Sequence, residues 1–242
     1  MNNYKLIVQY DGTDYSGWQI QSGSKTIQQI ITDSIETITR EKVNLIGSGR
    51  TDAGVHAIGQ AANFRIEQDL DIYRFKHSLN SVLPADISVL AMEKTDEDFH
   101  ARFDARKRSY IYIITKYKSP FFKKYSYQYP VVLDISGLNR ISRSFIGNKD
   151  YSSFCKKNAE IENKFCEVFD AKWYEKDDLI IFEITANRFL HGMVRTITGT
   201  ILKSIESKGS EDIIEKIFNE RNREAAPMPV PAQGLFLYKV DY

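Results

Sequence analysis

One short stretch restricts the fold more than any other: residues 47–57, GSGRTDAGVHA. Three glycines there surround Arg50, Thr51 and Asp52, and apolar runs flank the stretch at Val43–Ile46 and Ala61–Phe64. The pattern predicts a tight loop between two strands, carrying one guanidinium and one carboxylate. Reactive side chains are often presented this way, on a loop held by a rigid scaffold. The loop lacks the spacing of a phosphate cradle. A Walker A loop ends in Gly-Lys-Ser/Thr, whereas Val55-His56 follows Gly54 here. The dinucleotide pattern G-x-G-x-x-G fails as well, because Asp52 stands where its third glycine belongs. Two readings of Asp52 remain at this level. Either its side chain bonds the backbone of its own turn, or it is a carboxylate held for chemistry. In the second case Arg50 keeps it ionised, or orients a phosphate or base beside it.

A chain of 242 residues, 42% hydrophobic and 27% charged, has enough apolar material for one large domain or two smaller ones. The start, MNNYKLIVQY, lacks the charged beginning, long apolar centre and cleavage site of a secretory signal. No apolar run approaches the roughly 18–20 residues of a membrane helix. Two cysteines, Cys155 and Cys166, do not make a disulfide framework, and neither they nor the four scattered histidines have zinc spacing. The expectation is a reduced, cytoplasmic protein with no metal and no membrane contact.

Net charge is only +1, but the charge is unevenly spread. Residues 99–124 hold Arg102, Arg106, Lys107, Arg108, Lys116, Lys118, Lys123 and Lys124 against a single acid, Asp104. Arg140, Arg143, Lys149, Lys156 and Lys157 extend the bias, while acids gather at 67–71, 93–98 and 160–178. Tyr110, Tyr112, Tyr117, Phe121, Phe122, Tyr125, Tyr127 and Tyr129 are interleaved with the bases. Such a mixture suits RNA, with rings against bases and cations against phosphates. It equally suits a strand with a solvated basic face and a core of aromatics.

Periodicity assigns the elements. Alternation predicts strands at Tyr4–Tyr10, Ile87–Lys94, Arg106–Thr115 and Leu235–Val240, besides those flanking the loop. Ile27, Ile30, Ile31, Ser34, Ile35 and Ile38 share one helical face in Thr26–Arg40, with Thr26 as N-cap. Further helices are expected at 71–83, Ile135–Ile146, Leu190–Ser207 and Asp212–Asn219. Phe165–Glu175 and Leu179–Ala186 read as paired strands around a Lys176-Asp177-Asp178 turn, and PMPVP at 227–231 as an extended segment. Strands often follow one another without a helix between them, so the class is α+β with mixed, largely antiparallel sheets. Two similar halves, 1–104 and 105–242, are expected to meet without a linker around a fixed central cleft.

Five stretches, in order, then carry a resemblance. They are YDGTDYSGWQIQ (10–21), GSGRTDAGVHAIGQAANF (47–64), FHARFDARKRSYIYII (99–114), NRFLHGMVRTITGT (187–200) and PAQGLFLYKVDY (231–242). Together they resemble the tRNA pseudouridine synthase A family over nearly the whole chain, without large insertions. Val230 and His191-Gly192 depart from the family pattern, and neither falls on a residue expected to do chemistry. The resemblance implies the pseudouridine synthase fold and the isomerisation of uridine to pseudouridine in the anticodon arm of tRNA, at uridines 38, 39 and 40. It implies no cofactor and a homodimer.

On that resemblance Asp52 is the nucleophile and Tyr110 stacks on the flipped base. Arg195 keeps Asp52 ionised, and Arg50, with Thr51 beside it, grips the RNA or fills the vacated place. Arg106 and Arg108 belong to a backbone track over 102–124. His56 and Gln60 shape the loop rather than react. Spacing alone also allows Tyr110 to be a core aromatic and Arg195 a surface helix cation. A non-catalytic RNA-binding protein would use the same basic and aromatic surface without needing Asp52. A hydrolase with paired carboxylates lacks a second acid in a matching motif.

Overall fold

The computed structural model describes residues 1–156, 162–206 and 211–242. Lys157, Glu160 at the start of the 160–178 cluster and the expected helix end at Ser207 lie outside the described residues. The chain forms two compact units, Met1–Arg106 with Phe236–Tyr242, and Lys107–Leu235.

In the first unit, β1 (Asn2–Tyr10) lies between β3 (His56–Ile66) and β4 (Ile87–Thr95), antiparallel to both. Alternation puts Tyr4, Leu6, Val8 and Tyr10 on one buried face of β1. Helix α1 (Ile27–Thr39) buries Ile27, Ile31 and Ile35, as the isoleucine spacing predicts, and α2 (Ile72–Val82) buries Phe75 and Leu79. Thr26 holds the N-cap position of α1 in extended conformation, but its hydroxyl makes no cap bond and is buried without a partner. Asp71 does cap α2, accepting from the Arg74 N–H at 3.1 Å.

The strand expected at Val43–Ile46 is mostly absent. Only β2 (Ile46–Gly47) pairs with β3. The preceding backbone is satisfied by α1 side chains instead. The Val43 N–H donates to Glu36 Oε1 (3.1 Å) and Gln28 Nε2 donates to the Leu45 carbonyl (2.8 Å). Buried backbone groups need partners but not a sheet.

The second unit is built on β5 (Lys107–Thr115), with the two-residue β6 (Tyr127–Gln128) parallel to it. Helix α3 (Ile135–Ser142) stops short of the expected Ile146. A 3-10 turn at Arg143–Phe145 follows, and Phe145 packs edge-on to Phe154 and against Phe218. Gly147, at φ +103°, then opens β7 (Gly147–Asp150), a polar strand that alternation does not reveal. β7 pairs with β8 (Phe165–Lys176), β8 with β9 (Leu179–Ala186), and β9 with β5, all antiparallel. The β8–β9 turn falls on Asp177-Asp178, with Asp177 left-handed at φ 54°.

Helix α4 (Met193–Glu206) starts three residues later than its pattern suggests, because Gly192 before it is left-handed at φ +73°. It is buried almost all round. Thr198, Thr200 and Ser204 bond the carbonyls four residues back, so their hydroxyls are satisfied inside the core. Helix α5 (Glu211–Glu220) follows. The last strand, β10 (Leu235–Asp241), runs parallel to β3, with Phe236 opposite His56 and Leu237 opposite Ala57. The class is thus α+β and the pairing largely antiparallel, as expected. No described helix is long and apolar enough to cross a membrane.

Candidate active site

The Asp52 loop is gripped from several directions by residues 10–18. A register shift in the β1–β3 ladder lies beside it: Val8 pairs with Gln60, but Tyr10 pairs with Ala57. Such bulges re-aim side chains next to functional loops. Here the Tyr10 hydroxyl meets Thr51 Oγ1 at 2.8 Å in the core. The Trp18 N–H donates to the Thr51 carbonyl (3.1 Å), and the Gly54 N–H to the Tyr15 carbonyl (3.3 Å). The Val55 N–H closes the turn on the Asp52 carbonyl at 3.1 Å.

Glycines make these approaches possible. A Cβ on Gly12 would strike the Val55 carbonyl oxygen, one on Gly17 the Thr51 carbonyl oxygen, and one on Gly47 the Trp18 ring. Gly17 and Gly54 also have positive φ, +92° and +74°. At the loop entrance, Gln60 is fully buried. Its Oε1 accepts from Ser48 Oγ (2.6 Å) and its Nε2 donates to the Gly49 carbonyl (2.9 Å). His56 Nδ1 takes the Gly12 N–H at 3.0 Å, and its ring stacks on Phe236 at 4.7 Å. Both side chains are thus bonded to main chain or side chain bordering the loop.

Asp52 is left half-buried at the top of this construction, Thr51 is buried and Arg50 is exposed. Among the described residues Arg50 has no hydrogen-bond or ion-pair partner, so it does not neutralise Asp52 in this conformation. Its guanidinium remains available to an incoming anion. The main chain that carries this half-buried carboxylate is fixed by the Val55 N–H on the Asp52 carbonyl and the Trp18 N–H on the Thr51 carbonyl.

Arg106 also belongs to the first unit. Its side chain is exposed and its N–H donates to the Asp241 carbonyl (2.8 Å). The other sequence-selected residues belong to the second unit. Tyr110 on β5 is only 7% exposed, with its ring edge-on to Phe189 at 5.1 Å. Arg108, two residues earlier on the same face, donates to the Asn187 carbonyl at 2.7 Å. Arg195 is not a surface cation. It is half-buried, its Nε donates to the Val230 carbonyl (2.7 Å), and the Val230 N–H returns a bond to the Arg195 carbonyl (3.2 Å).

Tyr112, fully buried, donates to the next carbonyl, Pro231, at 2.9 Å. Burial pushes its hydroxyl pKa far up, and the nearby Arg195 charge offsets only part of that. Two consecutive carbonyls of the PMPVP segment thus receive Arg195 and Tyr112. The signal in the sequence was the proline spacing, which predicts an extended strip with unpaired carbonyls. Which donors reach them could not be read from it.

The basic stretch is divided by its partners. Lys116 pairs with Glu175 and the Tyr117 hydroxyl with Asp178, and Lys118, Lys123 and Lys124 are also exposed. Phe121 is 84% exposed beside them. Among the described residues no three His, Cys, Asp or Glu side chains form a group that could hold a metal ion.

A family model described as tRNA pseudouridine synthase matches residues 6–104 and 141–242. Relatives named tRNA pseudouridine synthase A align along the full length of this chain. The protein of Caldicellulosiruptor saccharolyticus is 41% identical, covering all of both chains. That of Acetivibrio thermocellus is 38% identical, again covering all of both. That of Bacteroides fragilis is 38% identical, covering all of this chain and 97% of its own. The matched stretches contain the Asp52 loop, the residue 10–18 segment that grips it and the Arg195–Val230 contact, so the chain belongs to the tRNA pseudouridine synthase family.

Proposed function

We propose that this protein is a tRNA isomerase that converts uridine to pseudouridine in the anticodon arm, with Asp52 as the reacting carboxylate. The observation that carries the proposal is the backbone clamp around Asp52. A half-buried carboxylate sits in a turn whose main chain is bonded at Thr51, Asp52, Gly54 and Val55 and closely approached by Gly12 and Gly17, without a cation of its own from Arg50. Isomerisation breaks an N-glycosidic bond and forms a C–C glycosidic bond on the same nucleotide. Nothing is oxidised and no group leaves, so the atoms balance without a cofactor. A carboxylate divides such a step in two by holding one partner covalently or by taking a proton.

The uridine must leave its stack, at a cost of about a few kcal/mol. Exposed Arg50 fits the role of a cation that compensates this, on a phosphate or in the vacated place. In the second unit, Tyr110 is proposed as the ring that meets the base. Arg195, fixed by Val230, is proposed as a cation of set direction. Arg106, Arg108 and the exposed Lys118, Lys123 and Lys124 are proposed to contact phosphates, which position an RNA without reading it. A cytoplasmic homodimer is the proposed working form, on family resemblance.

The decisive experiment maps pseudouridine in unmodified tRNA transcripts incubated with and without the protein. New pseudouridines confined to the anticodon arm are expected. Modification in another arm would move the target. No modification in any tRNA, by a protein that binds tRNA, would favour a non-catalytic RNA binder.

A further inference from the structure

One titratable side chain sits in the seam that fixes Asp52. His56 is four residues after Asp52, 1% exposed and stacked on Phe236. Its Nδ1 lies 3.0 Å from the Gly12 nitrogen and 3.1 Å from Asp11 Oδ1. One nitrogen cannot serve both. If it carries a proton it donates to Asp11 and orphans the Gly12 N–H. If it is bare it accepts from Gly12.

The direction of the Gly12 N–H bears on this. Asp11 Oδ1 already accepts from the Thr13 N–H at 2.9 Å and the Thr13 hydroxyl at 2.5 Å. The Gly12 N–H, by contrast, points at Nδ1. In this arrangement Nδ1 is the acceptor of the Gly12 N–H.

The consequence reaches Asp52 through one residue. Gly12 packs so closely on the Val55 carbonyl that no Cβ fits, and the Val55 N–H closes the turn on the Asp52 carbonyl. The Gly12 N–H bond to His56 therefore holds residues 11–13 against the end of the catalytic turn.

We propose that His56 is a positioning residue for Asp52, acting as a hydrogen-bond acceptor for the Gly12 N–H rather than as an acid or base. This rests on the assignment of Asp52 as the reacting carboxylate. A shift of order 1 Å in a reacting group can cost about 100-fold in rate, so loss of the clasp should appear in the chemical step and not in RNA affinity.

The test compares two variants of the full chain on unmodified tRNA, reading single-turnover pseudouridine formation, tRNA affinity and thermal stability. His56→Phe keeps a ring to stack on Phe236 but removes the acceptor. His56→Asn loses the ring but places an amide oxygen at the position of Nδ1. The Phe variant is expected to slow the chemical step by about 10- to 100-fold with tRNA affinity unchanged. The Asn variant is expected to recover to within about threefold of the wild-type rate. A Phe variant as fast as wild type would overturn the proposal. So would an Asn variant that folds and binds tRNA yet is as slow as Phe, since that would require the imidazole itself. If the Phe variant fails to fold, the rate of the Asn variant alone decides in the same way. Wild-type protein is the internal control: its failure to form pseudouridine would refute the proposed function, whereas normal wild-type activity with indifferent variants would refute only the role of His56.

Discussion

The Asp52 loop and the stretch from Lys116 to Val132 are both irregular, and both carry polar groups suited to RNA. They are built in opposite ways. The loop is held by main chain against main chain, with Gly12 and Gly17 pressed on its carbonyls and buried Tyr10 and Gln60 completing the hold. The second stretch is tied at intervals: Tyr129 N–H to the Thr115 carbonyl, Ser126 Oγ to the Phe122 carbonyl, and Lys116 to Glu175. Between those ties Phe121 is 84% exposed, and beyond the last of them Val132 is 94% exposed. A reacting group needs one geometry, and backbone contacts supply it because they involve no side-chain rotamers. A surface that follows a polyanion needs charge and reach, and exposed lysines on flexible stems supply both.

This contrast predicts a steep ordering of effects. Asp52→Asn should lower the rate of pseudouridine formation by at least about 1000-fold, as removal of a nucleophile does, with tRNA affinity within a few-fold of wild type. Substantial rate retained in this variant would move the chemistry to another residue.

Gly12→Ala adds one methyl group and is expected to cost about 1–3 kcal/mol of stability, because its Cβ meets main chain rather than a side chain that can turn aside. Thermal melting measures this. An unchanged melting temperature would mean that the loop is looser than its contacts imply.

The combined change of Lys118, Lys123 and Lys124 to Gln should have the smallest effect on chemistry. Saturating rates should stay near wild type, while tRNA affinity falls and the slope of log K against log salt becomes shallower by about two to three. A flat salt dependence in the wild type would remove the phosphate role, and a rate defect at saturation would erase the contrast between the two stretches.

The fold was legible wherever burial is periodic. The isoleucine face of α1 and the paired β8 and β9 around Asp177-Asp178 follow from spacing and turn chemistry. It was illegible where hydrogen bonding, not burial, defines the element. Val43–Leu45 is apolar enough for a strand, yet Glu36 and Gln28 of α1 take its backbone groups. Gly147–Asp150 is too polar to look like a strand, yet it pairs with β8 because Gly147 can turn the chain into register. At the site, Arg50, Thr51 and Asp52 were legible as a unit because they are contiguous. Tyr10 as the partner of Thr51, and Val230 as the partner of Arg195, were not, because each pair is far apart in sequence.

By itself, then, the sequence determined the class of the fold, most of its helices and strands, and the carboxylate on which the chemistry is proposed to rest. Those depend on local pattern: which side chains avoid water, where glycine frees the backbone, and what order the motifs take. Tertiary structure alone decided that the last seven residues return to the first unit, that β10 lies parallel to β3, and that His56 receives Gly12 rather than facing solvent. A hydrogen bond is settled by which donor and acceptor the whole chain brings within about 3 Å of each other, and no local pattern encodes that distance.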